Sequence, residues 1–141
     1  ILAHFLKAGP FFSTFGGNNV ACAAGLAVLD VIRDERLVEN ALAVGAYLRQ
    51  ALQRLMARHE LIGDVRGVGL AIGVELVRDR QTKEPAPAET TRLLNLLRDE
   101  GVLAGGEGKH ANVLKIRPPM VFTREHADFA ATAFDRALAQ I

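Results

Sequence analysis

The sequence predicts an α+β fold, in which a small, mostly antiparallel sheet carries helices on one of its faces. Apolar residues recur at helical spacing over the first 58 residues and again over 88–100 and 123–141. Between these segments, short runs rich in valine and isoleucine are broken by glycine, as in strands joined by tight turns. The resulting order, α-α-ββ-α-ββ-α, implies the antiparallel sheet.

The N-terminal part of the chain is predicted to be helical. One or two helical turns over residues 1–8 should end at Gly9-Pro10. A second helix is predicted over about 19–34, and a third over about 36–58. The first half of the second helix is nearly all alanine, glycine, cysteine and valine. We therefore expect this half to be buried against another element, with Cys22 as a small buried hydrophobic residue.

The period of the sequence changes after the third helix. Residues 62–77 are predicted to form a strand, a tight turn and a longer strand. A polar loop over 79–87 then precedes a helix over 88–100. Two further strands, over 102–106 and 112–119, are predicted on either side of a glycine-rich loop.

The C-terminal segment is predicted from a proline pair and a helix cap. Pro118-Pro119 should end the last strand, because proline cannot donate a ladder hydrogen bond. Thr123 is a good N-cap residue for the last helix. This helix has one apolar stripe, formed by Phe129, Ala133, Phe134, Ala137, Leu138 and Ile141.

The composition argues against several classes of function. The 141 residues are enough for about one domain, and the net charge of +1 gives no general affinity for nucleic acid or anionic membranes. No apolar run approaches the roughly 20 residues that span a bilayer. The single Cys22 rules out an internal disulfide and favours the reducing cytoplasm. The N-terminus has neither an initiator methionine nor a signal peptide, so we expect a piece of a longer protein.

Two glycine-rich stretches resemble nucleotide-binding motifs but have the wrong spacing. In GVGLAIG (67–73) the third glycine comes one residue late and a strand follows, so a hairpin turn is expected. GGEGKH (105–110) ends like a phosphate-binding loop, but Leu103 stands where that loop needs glycine and His110 where it needs serine or threonine. A hairpin tip is expected there, with backbone contact to a ligand as the alternative.

The titratable residues form no recognisable catalytic group. The four histidines have no metal-ligand spacing among themselves or with Cys22, so no metal site is predicted. His4, His59 and His126 are expected at exposed positions, whereas His110 keeps a ligand-facing role as an alternative. No Ser-His-Asp group or carboxylate pair stands out, so no catalytic residue is assigned.

The stretch FFSTFGGNN (11–19) has the composition of an anion-binding loop. Ser13 and Thr14 offer hydroxyl donors, and two glycines allow close backbone approach. The helix that follows adds free N–H groups and the positive end of its dipole. The same residues also suit a plain helix entry with Asn19 as N-cap. Composition alone does not favour either the anion-binding loop or the plain helix entry.

Three blocks make the chain similar to a known family: FSTFGGNNVACAAGLAVLDVI (12–32), LIGDVRGVGLAIGVELV (61–77) and NVLKIRPPMVFT (112–123). Together they resemble the C-terminal part of class III aminotransferases, which are pyridoxal-phosphate enzymes of fold type I. The order and spacing match from about Pro10 to the end of the chain. The resemblance implies pyridoxal phosphate as cofactor, a small amine or amino-acid substrate, and a homodimer with active sites at its interface.

The resemblance also implies how the chain is divided. Residues 1–35 correspond to the end of the family's large domain, with the cofactor-phosphate loop and the start of the linking helices. Residues 36–141 correspond to the small C-terminal α+β domain. In the family, a threonine in this loop binds the cofactor phosphate of the neighbouring subunit. That role falls on Thr14, with Ser13, Phe15 and Gly16 beside it.

One part of the family's site is missing from the sequence. The lysine that forms the Schiff base, and the aspartate that pairs with the pyridine nitrogen, lie upstream of the loop in the family. The chain's own lysines, Lys7, Lys83, Lys109 and Lys115, do not lie in that motif. We therefore expect this chain to be inactive alone.

Two departures from the family pattern bear on the substrate. Lys115 stands where many members have an arginine that clamps the substrate carboxylate, and Arg117 replaces an alanine. Lysine lacks the bidentate fork of arginine. The pattern is similar to the phospho-lyase branch, whose members release phosphate and ammonia from phosphoethanolamine or phosphohydroxylysine. Lys115, Arg117 and His110 are the expected substrate contacts.

Alternatives remain at each level. An ordinary ω- or alanine–glyoxylate-type aminotransferase is as compatible with the sequence as a phospho-lyase. Lys115 and Arg117 also suit solvated positions on a strand. A different class of function is a stand-alone, non-catalytic binding or dimerisation module. The small-residue helix over 20–28 favours this reading, since an exposed apolar helix needs a partner.

Overall fold

Two compact units make up the chain, Ile1–Arg36 and Leu37–Ile141. The structure, a computed structural model, describes residues 2–10 and 12–141. The first unit contains helix α1 (Leu2–Phe5), a 3-10 turn (Leu6–Ala8) and helix α2 (Asn19–Asp34). The predicted helix over 19–34 is therefore confirmed.

The first half of α2 is not buried by any described element of this chain, so its burial against another element stays a prediction. The residues of α2 are exposed except for the half-buried Ile32, and Cys22 is exposed as well. A face of small residues is buried only when a second helix or sheet packs against it. Among the described residues of this unit, the four-residue α1 makes no such contact with α2.

The second unit contains three long helices and one sheet. The helices are α3 (Leu37–Leu55), α4 (Pro87–Asp99) and α5 (Arg124–Leu138). The strands are β1 (Ile62–Val68), β2 (Ala71–Asp79), β3 (Glu84–Pro85), β4 (Gly105–Glu107) and β5 (Val113–Ile116). The strand predicted over 102–106 starts later than expected, and the one over 112–119 is shorter and stops before Pro118-Pro119.

The sheet is antiparallel throughout, with strand order β1-β2-β5-β4 and the short β3 paired to β2. Gly69, at φ +54°, lies in the tight turn between β1 and β2. The register shifts between Ile62 and Asp64, so Gly63 lies in a bulge. The GVGLAIG stretch is thus a hairpin, as predicted.

The helical layer lies on one face of the sheet: α3 and α4 contact the strands, and α5 packs against α3 and α4. Along β2, the side chains of Ile72, Val74 and Leu76 are buried, whereas Gly73 and Glu75 lie on the opposite face. The buried side chains join those of the three helices in one core, in which Phe134 of α5 is the largest fully buried residue. The predicted α+β fold with helices on one face is confirmed.

Local capping fixes the start of α5. Thr123 Oγ1 accepts a hydrogen bond from the backbone N–H of His126, and the Thr123 N–H donates to Nδ1 of His126. This reciprocal arrangement is a capping box with histidine in the place of the usual glutamate. The predicted N-cap at Thr123 is confirmed. Phe129 departs from the predicted apolar stripe, since it is 57% exposed.

The loop over 79–87, predicted only as polar, closes the end of α3. The Arg80 guanidinium donates hydrogen bonds to four backbone carbonyls, those of Met56, His59, Glu60 and Ile62, at 2.5–3.1 Å. These carbonyls follow the last turns of α3, where helical partners run out. The prediction that His59 is exposed is wrong: its side chain is only 12% exposed, because it turns toward α5.

Candidate functional site

The loop before α2 is closed by a hydrogen bond between Ser13 and Gly16. The Gly16 N–H donates to Ser13 Oγ at 2.9 Å. A Cβ atom on Gly16 would lie 2.7 Å from the same oxygen, so a side chain there would displace the Ser13 hydroxyl from this position. Gly17 follows at φ +77°, a conformation that also favours glycine. Both glycines therefore serve the fold of the loop itself.

Thr14 and Phe15 lie at the outside of this loop. Both residues are exposed, and the Phe15 side chain is 87% exposed. Within residues 2–10 and 12–141, no hydrogen bond is formed by the Thr14 hydroxyl. This hydroxyl is therefore available to a ligand. Phe11, the first residue of the FFSTFGGNN stretch, lies outside the described residues.

The N-cap of α2 is Asn18, and the prediction of Asn19 is wrong by one residue. Asn18 Oδ1 accepts hydrogen bonds from the N–H groups of Val20 and Ala21 at 3.0 and 3.1 Å. Asn18 has the extended backbone of a cap residue, at φ −60° and ψ 128°, whereas Asn19 is already helical. Two of the N–H groups at this helix end are thus occupied. Any anion at the loop would depend on the remaining donors, the Thr14 hydroxyl among them.

Two of the predicted substrate residues, Lys115 and Arg117, lie on β5 and just after it. Leu114 is buried in the core, so its neighbour Lys115 points to the opposite face of the sheet. None of the described helices of the second unit covers that face, which we call the open face. Its residues on the four main strands include Asp64, Arg66, Val68, Ala71, Gly73, Glu75, Gly105, Glu107, Val113 and Lys115.

A shallow trough crosses the open face beside Lys115. Ala71, Gly73 and Val113 line it together with Lys115, Glu107 and Arg117. Lys115 is paired across the strands with Gly73 on one side and Gly105 on the other, so no side chain flanks it in its own row. The structure thus brings Lys115 and Arg117 to one cavity.

The charges of the open face are unevenly paired. Lys115 Nζ forms an ion pair with Glu107. Arg66 donates to Asp64 at 2.7 Å and to Glu75 at 2.6 Å, and these two hydrogen bonds raise the pKa of Arg66 above its usual value. Arg117 is exposed and has no ion-pair partner among residues 2–10 and 12–141. Sequence reasoning identified neither Glu107 nor Arg66, since pairing across strands is not readable from local pattern.

His110 lies apart from the trough. It belongs to the turn between β4 and β5, where Gly108 has φ +90° and the Ala111 N–H donates to the Gly108 carbonyl at 3.1 Å. His110 is exposed and does not line the trough. The next residue but one, Asn112, is buried and donates to the Leu76 carbonyl at 2.9 Å, which fixes the return of the chain into β5. GGEGKH is therefore a hairpin tip, as predicted.

A second cavity, of about 470 Å³, lies on the helical side of the second unit. Its walls are mostly apolar and include Phe122, Phe129 and Phe134, with Arg117 and His126 as polar members. Arg117 borders both this cavity and the trough. Across the described residues, no His, Cys, Asp and Glu side chains form a group of three or more suited to a metal ion. The described helices also include none with the length and apolar character to cross a bilayer.

Known proteins resemble the chain over nearly its full length. The chain is 49% identical over 140 residues to an alanine–glyoxylate aminotransferase 2 homolog of Arabidopsis thaliana, which is described as mitochondrial. The match covers 99% of this chain and 29% of that protein. The chain is also 43% identical over 129 residues to ethanolamine-phosphate phospho-lyase homolog 1 of Caenorhabditis elegans, covering 91% of this chain and 28% of that protein. The chain thus spans less than a third of these relatives.

Solved structures share the fold. A phospholyase from Arthrobacter, in complex with phosphoethanolamine, superposes with a TM-score of 0.91 at 42% identity, over 99% of this chain and 33% of that one. An amine transaminase from an uncultivated Pseudomonas species, in its pyridoxal-phosphate-bound form, gives a TM-score of 0.81 at 36% identity, over 98% and 33% of the two chains. These relatives indicate pyridoxal phosphate as the cofactor.

The family assignment covers almost every residue described above. The class-III aminotransferase family matches residues 2–138, which include the Thr14 loop, the β1–β2 hairpin and the strand that carries Lys115. The match is consistent with the fold shared with solved transaminases and with a phospholyase. The chain belongs to the class-III aminotransferase family.

Proposed function

We propose that this chain is the C-terminal part of a pyridoxal-phosphate-dependent amino-phospho-lyase, which releases phosphate and ammonia from a small phosphorylated amine. The coverage of the relatives, 28–29% of their length, supports a longer protein. In this proposal residues 1–35 end the large domain and 36–141 form the small domain. The cofactor-binding lysine lies upstream, so the 141-residue chain is inactive alone.

The cofactor phosphate is assigned to the Thr14 loop. The loop fits a phosphate because the Thr14 hydroxyl is exposed and without a partner among the described residues, and because Gly16 leaves the loop backbone uncovered. Thr14 would donate to a phosphate oxygen, with Ser13, Phe15 and Gly16 forming the wall around it. When bound, pyridoxal phosphate supplies an electron sink for reactions at the amine-bearing carbon.

The observation that carries the lyase assignment is the trough in which Lys115 and Arg117 meet. A phosphate monoester carries a charge of about −1.5 to −2 at pH 7, more than a carboxylate. Two cations beside a floor of glycine and alanine suit such a group, and lysine binds phosphate as a point charge. We assign the substrate phosphate to Lys115 and Arg117, and give His110, at the hairpin tip, a more distant role in the same region.

A transaminase is the competing function, supported by the 49% identity to the Arabidopsis relative. In that case Lys115 would hold a substrate carboxylate. The test measures phosphate release from phosphoethanolamine and amino transfer to a keto acid by the full-length protein. Phosphate release at rates well above amino transfer supports the lyase. Brisk transamination without phosphate release would reject it.

The proposal includes a homodimer in which Thr14 serves the partner's cofactor. The exposed apolar side chains of α2, among them Leu26, Val28 and Leu29, support a partner surface there. A stand-alone dimerisation module is the second candidate, and the same surface supports it. Expression of the chain with and without its upstream coding sequence distinguishes the enzyme from the stand-alone module. If the chain is part of an enzyme, only the longer protein should bind pyridoxal phosphate covalently. We also propose a cytoplasmic location, which cell fractionation would test.

A further inference from the structure

We propose that Glu107 is a positioning residue that acts through Lys115: it competes with the anionic group of a ligand for the Lys115 ammonium and so sets the anion affinity of the trough. This inference rests on the proposed function, which assigns the substrate phosphate to Lys115 and Arg117. Lys115 would then be exchanged between two partners, Glu107 in the free protein and the ligand anion in the complex.

The register of the β4–β5 hairpin places the two residues for this exchange. Gly105 is the cross-strand partner of Lys115, and Glu107 is the partner of Val113, one row closer to the hairpin tip. Lys115 Cε lies 3.7 Å from the position of a Cβ on Gly105, so the lysine stem crosses the space that this glycine leaves. Lys115 Nζ thereby reaches Glu107 along the open face.

Glu107 is the carboxylate that pairs with Lys115. The other carboxylates of the open face, Asp64 and Glu75, are both hydrogen-bonded to Arg66. Arg117 has no ion-pair partner in the described part of the chain. As far as the described residues show, an anion entering the trough therefore meets Arg117, which is unpaired, and Lys115, which Glu107 already neutralises.

The physical basis of the competition is charge and tethering. Glu107 is held beside Lys115 by the hairpin, so it acts on the ammonium at a high effective concentration. An anion bound at Lys115 would also lie beside the displaced carboxylate of Glu107, and the two negative charges would repel each other. Both effects lower the affinity for an anion. They leave the fold nearly unaffected, since exposed ion pairs contribute little to stability.

The direct test titrates the 141-residue chain with inorganic phosphate and follows the backbone amide signals of Gly73, Gly105 and Lys115 by NMR. Glu107→Gln should bind phosphate about three- to tenfold more tightly than the unmodified chain. The matched control is Glu100→Gln, which removes the same charge from a carboxylate paired with Arg136 on the helical layer. It should leave the phosphate affinity unchanged. Equal or weaker binding by Glu107→Gln would overturn the proposal.

A double variant tests whether Glu107 acts through Lys115. In the unmodified chain, Glu107→Gln should increase the phosphate affinity by a certain factor. In a chain that already carries Lys115→Gln, the same substitution should give less than half of that increase, when both increases are expressed as the logarithm of the fold-change. An undiminished gain would show a general charge effect and reject the positioning role. Thermal unfolding of all variants checks that each remains folded.

A kinetic test on the full-length protein distinguishes a failure of this inference from a failure of the proposed function. Glu107→Gln should lower KM for phosphoethanolamine by the same factor as the phosphate dissociation constant. Failure of the unmodified protein to turn over any amine would reject the proposed function, while the phosphate titration would still decide the role of Glu107. Turnover with an unchanged KM in Glu107→Gln would reject the inference alone.

Discussion

Gly45 of α3 lies so close to Gly69, in the turn between β1 and β2, that no side chain fits between them. A Cβ atom on Gly45 would lie 2.0 Å from the Gly69 carbonyl oxygen. Since the obstructing atoms belong to the backbone, α3 would have to move away from the turn. We expect Gly45→Ala to lower the free energy of unfolding by about 2–3 kcal/mol, measured by urea denaturation.

Gly25 of α2 provides the matched control. In the part of the chain that the structure describes, no heavy atom outside the neighbouring turns of α2 itself lies within 4 Å of the position that its Cβ would occupy. Alanine is the better helix former, so Gly25→Ala should not destabilise the protein and should raise helix content slightly. A similar loss of stability in both variants would contradict the close approach at Gly45.

Arg80 is expected to stabilise the end of α3 through its four carbonyl contacts. Arg80→Ala should lower the free energy of unfolding by about 1–3 kcal/mol, because the hydrogen bonds from a charged donor to four carbonyls are lost. Arg80→Lys should recover only part of this loss, since an ammonium cannot reproduce the planar fork. Arg98→Ala is the control: Arg98 pairs with its exposed neighbour Asp99, and its removal should cost less than about 0.5 kcal/mol.

The decrease in the free energy of unfolding at low pH should depend on Asp135. His59 Nε2 lies 2.6 Å from Asp135 Oδ1, and Arg58 Nη1 lies 2.6 Å from Oδ2; these contacts hold the pKa of Asp135 below its usual value. A carboxyl whose pKa is lower in the folded state contributes stability above its unfolded pKa of about 3.9. That contribution is lost as the pH falls through the folded-state pKa.

Asp135→Asn should therefore lower the free energy of unfolding by about 1 kcal/mol at neutral pH and flatten its decline below about pH 4. Denaturation curves collected from pH 2 to pH 7 would measure both effects. An acid decline as steep as in the unmodified protein would show that other carboxylates are responsible.

Thr14 is expected to bind the cofactor phosphate through its hydroxyl. In the full-length protein, Thr14→Val should weaken pyridoxal-phosphate binding about tenfold, the usual effect of losing one hydrogen bond to a charged group. Thr14→Ser keeps the hydroxyl and should bind nearly as well as the unmodified protein. Absorbance titration with the cofactor gives both constants. If Thr14→Val bound pyridoxal phosphate as tightly as the unmodified protein, Thr14 would not be a ligand of the cofactor phosphate.

The elements that the sequence predicted well are those decided by neighbouring residues. α2 and α5 begin where an asparagine or threonine can cap a helix, and their apolar spacing is local. The β1–β2 hairpin follows from glycines at its turn and bulge. The cap of α2 was misplaced by one residue because Asn18 and Asn19 are chemically equivalent candidates, and only backbone conformation separates them.

The errors, and the burial of α2 that stays a prediction, concern contacts between residues far apart in the sequence. Exposure of Cys22 depends on what packs against α2, which helical periodicity does not reveal. Arg80 and His59 were missed because their partners belong to other elements. Glu107 meets Lys115 only once the register of β4 and β5 is known. The sequence thus predicted that Lys115 and Arg117 could bind an anion. The pairing of Lys115 with Glu107 could be found only from the structure.

The two glycines that flank Lys115 make its surroundings a favourable place for protein engineering. Gly105 is at the sheet surface, and a methyl group there would meet Lys115 Cε at 3.7 Å, an ordinary van der Waals contact. At Gly73 the nearest atom, Val113 Cγ1, would be at 3.4 Å, and the core behind both positions would be undisturbed. Small substitutions at these two sites would therefore narrow the trough in single-methyl steps. A library limited to these two positions offers a compact route to variants that accept ligands of different size.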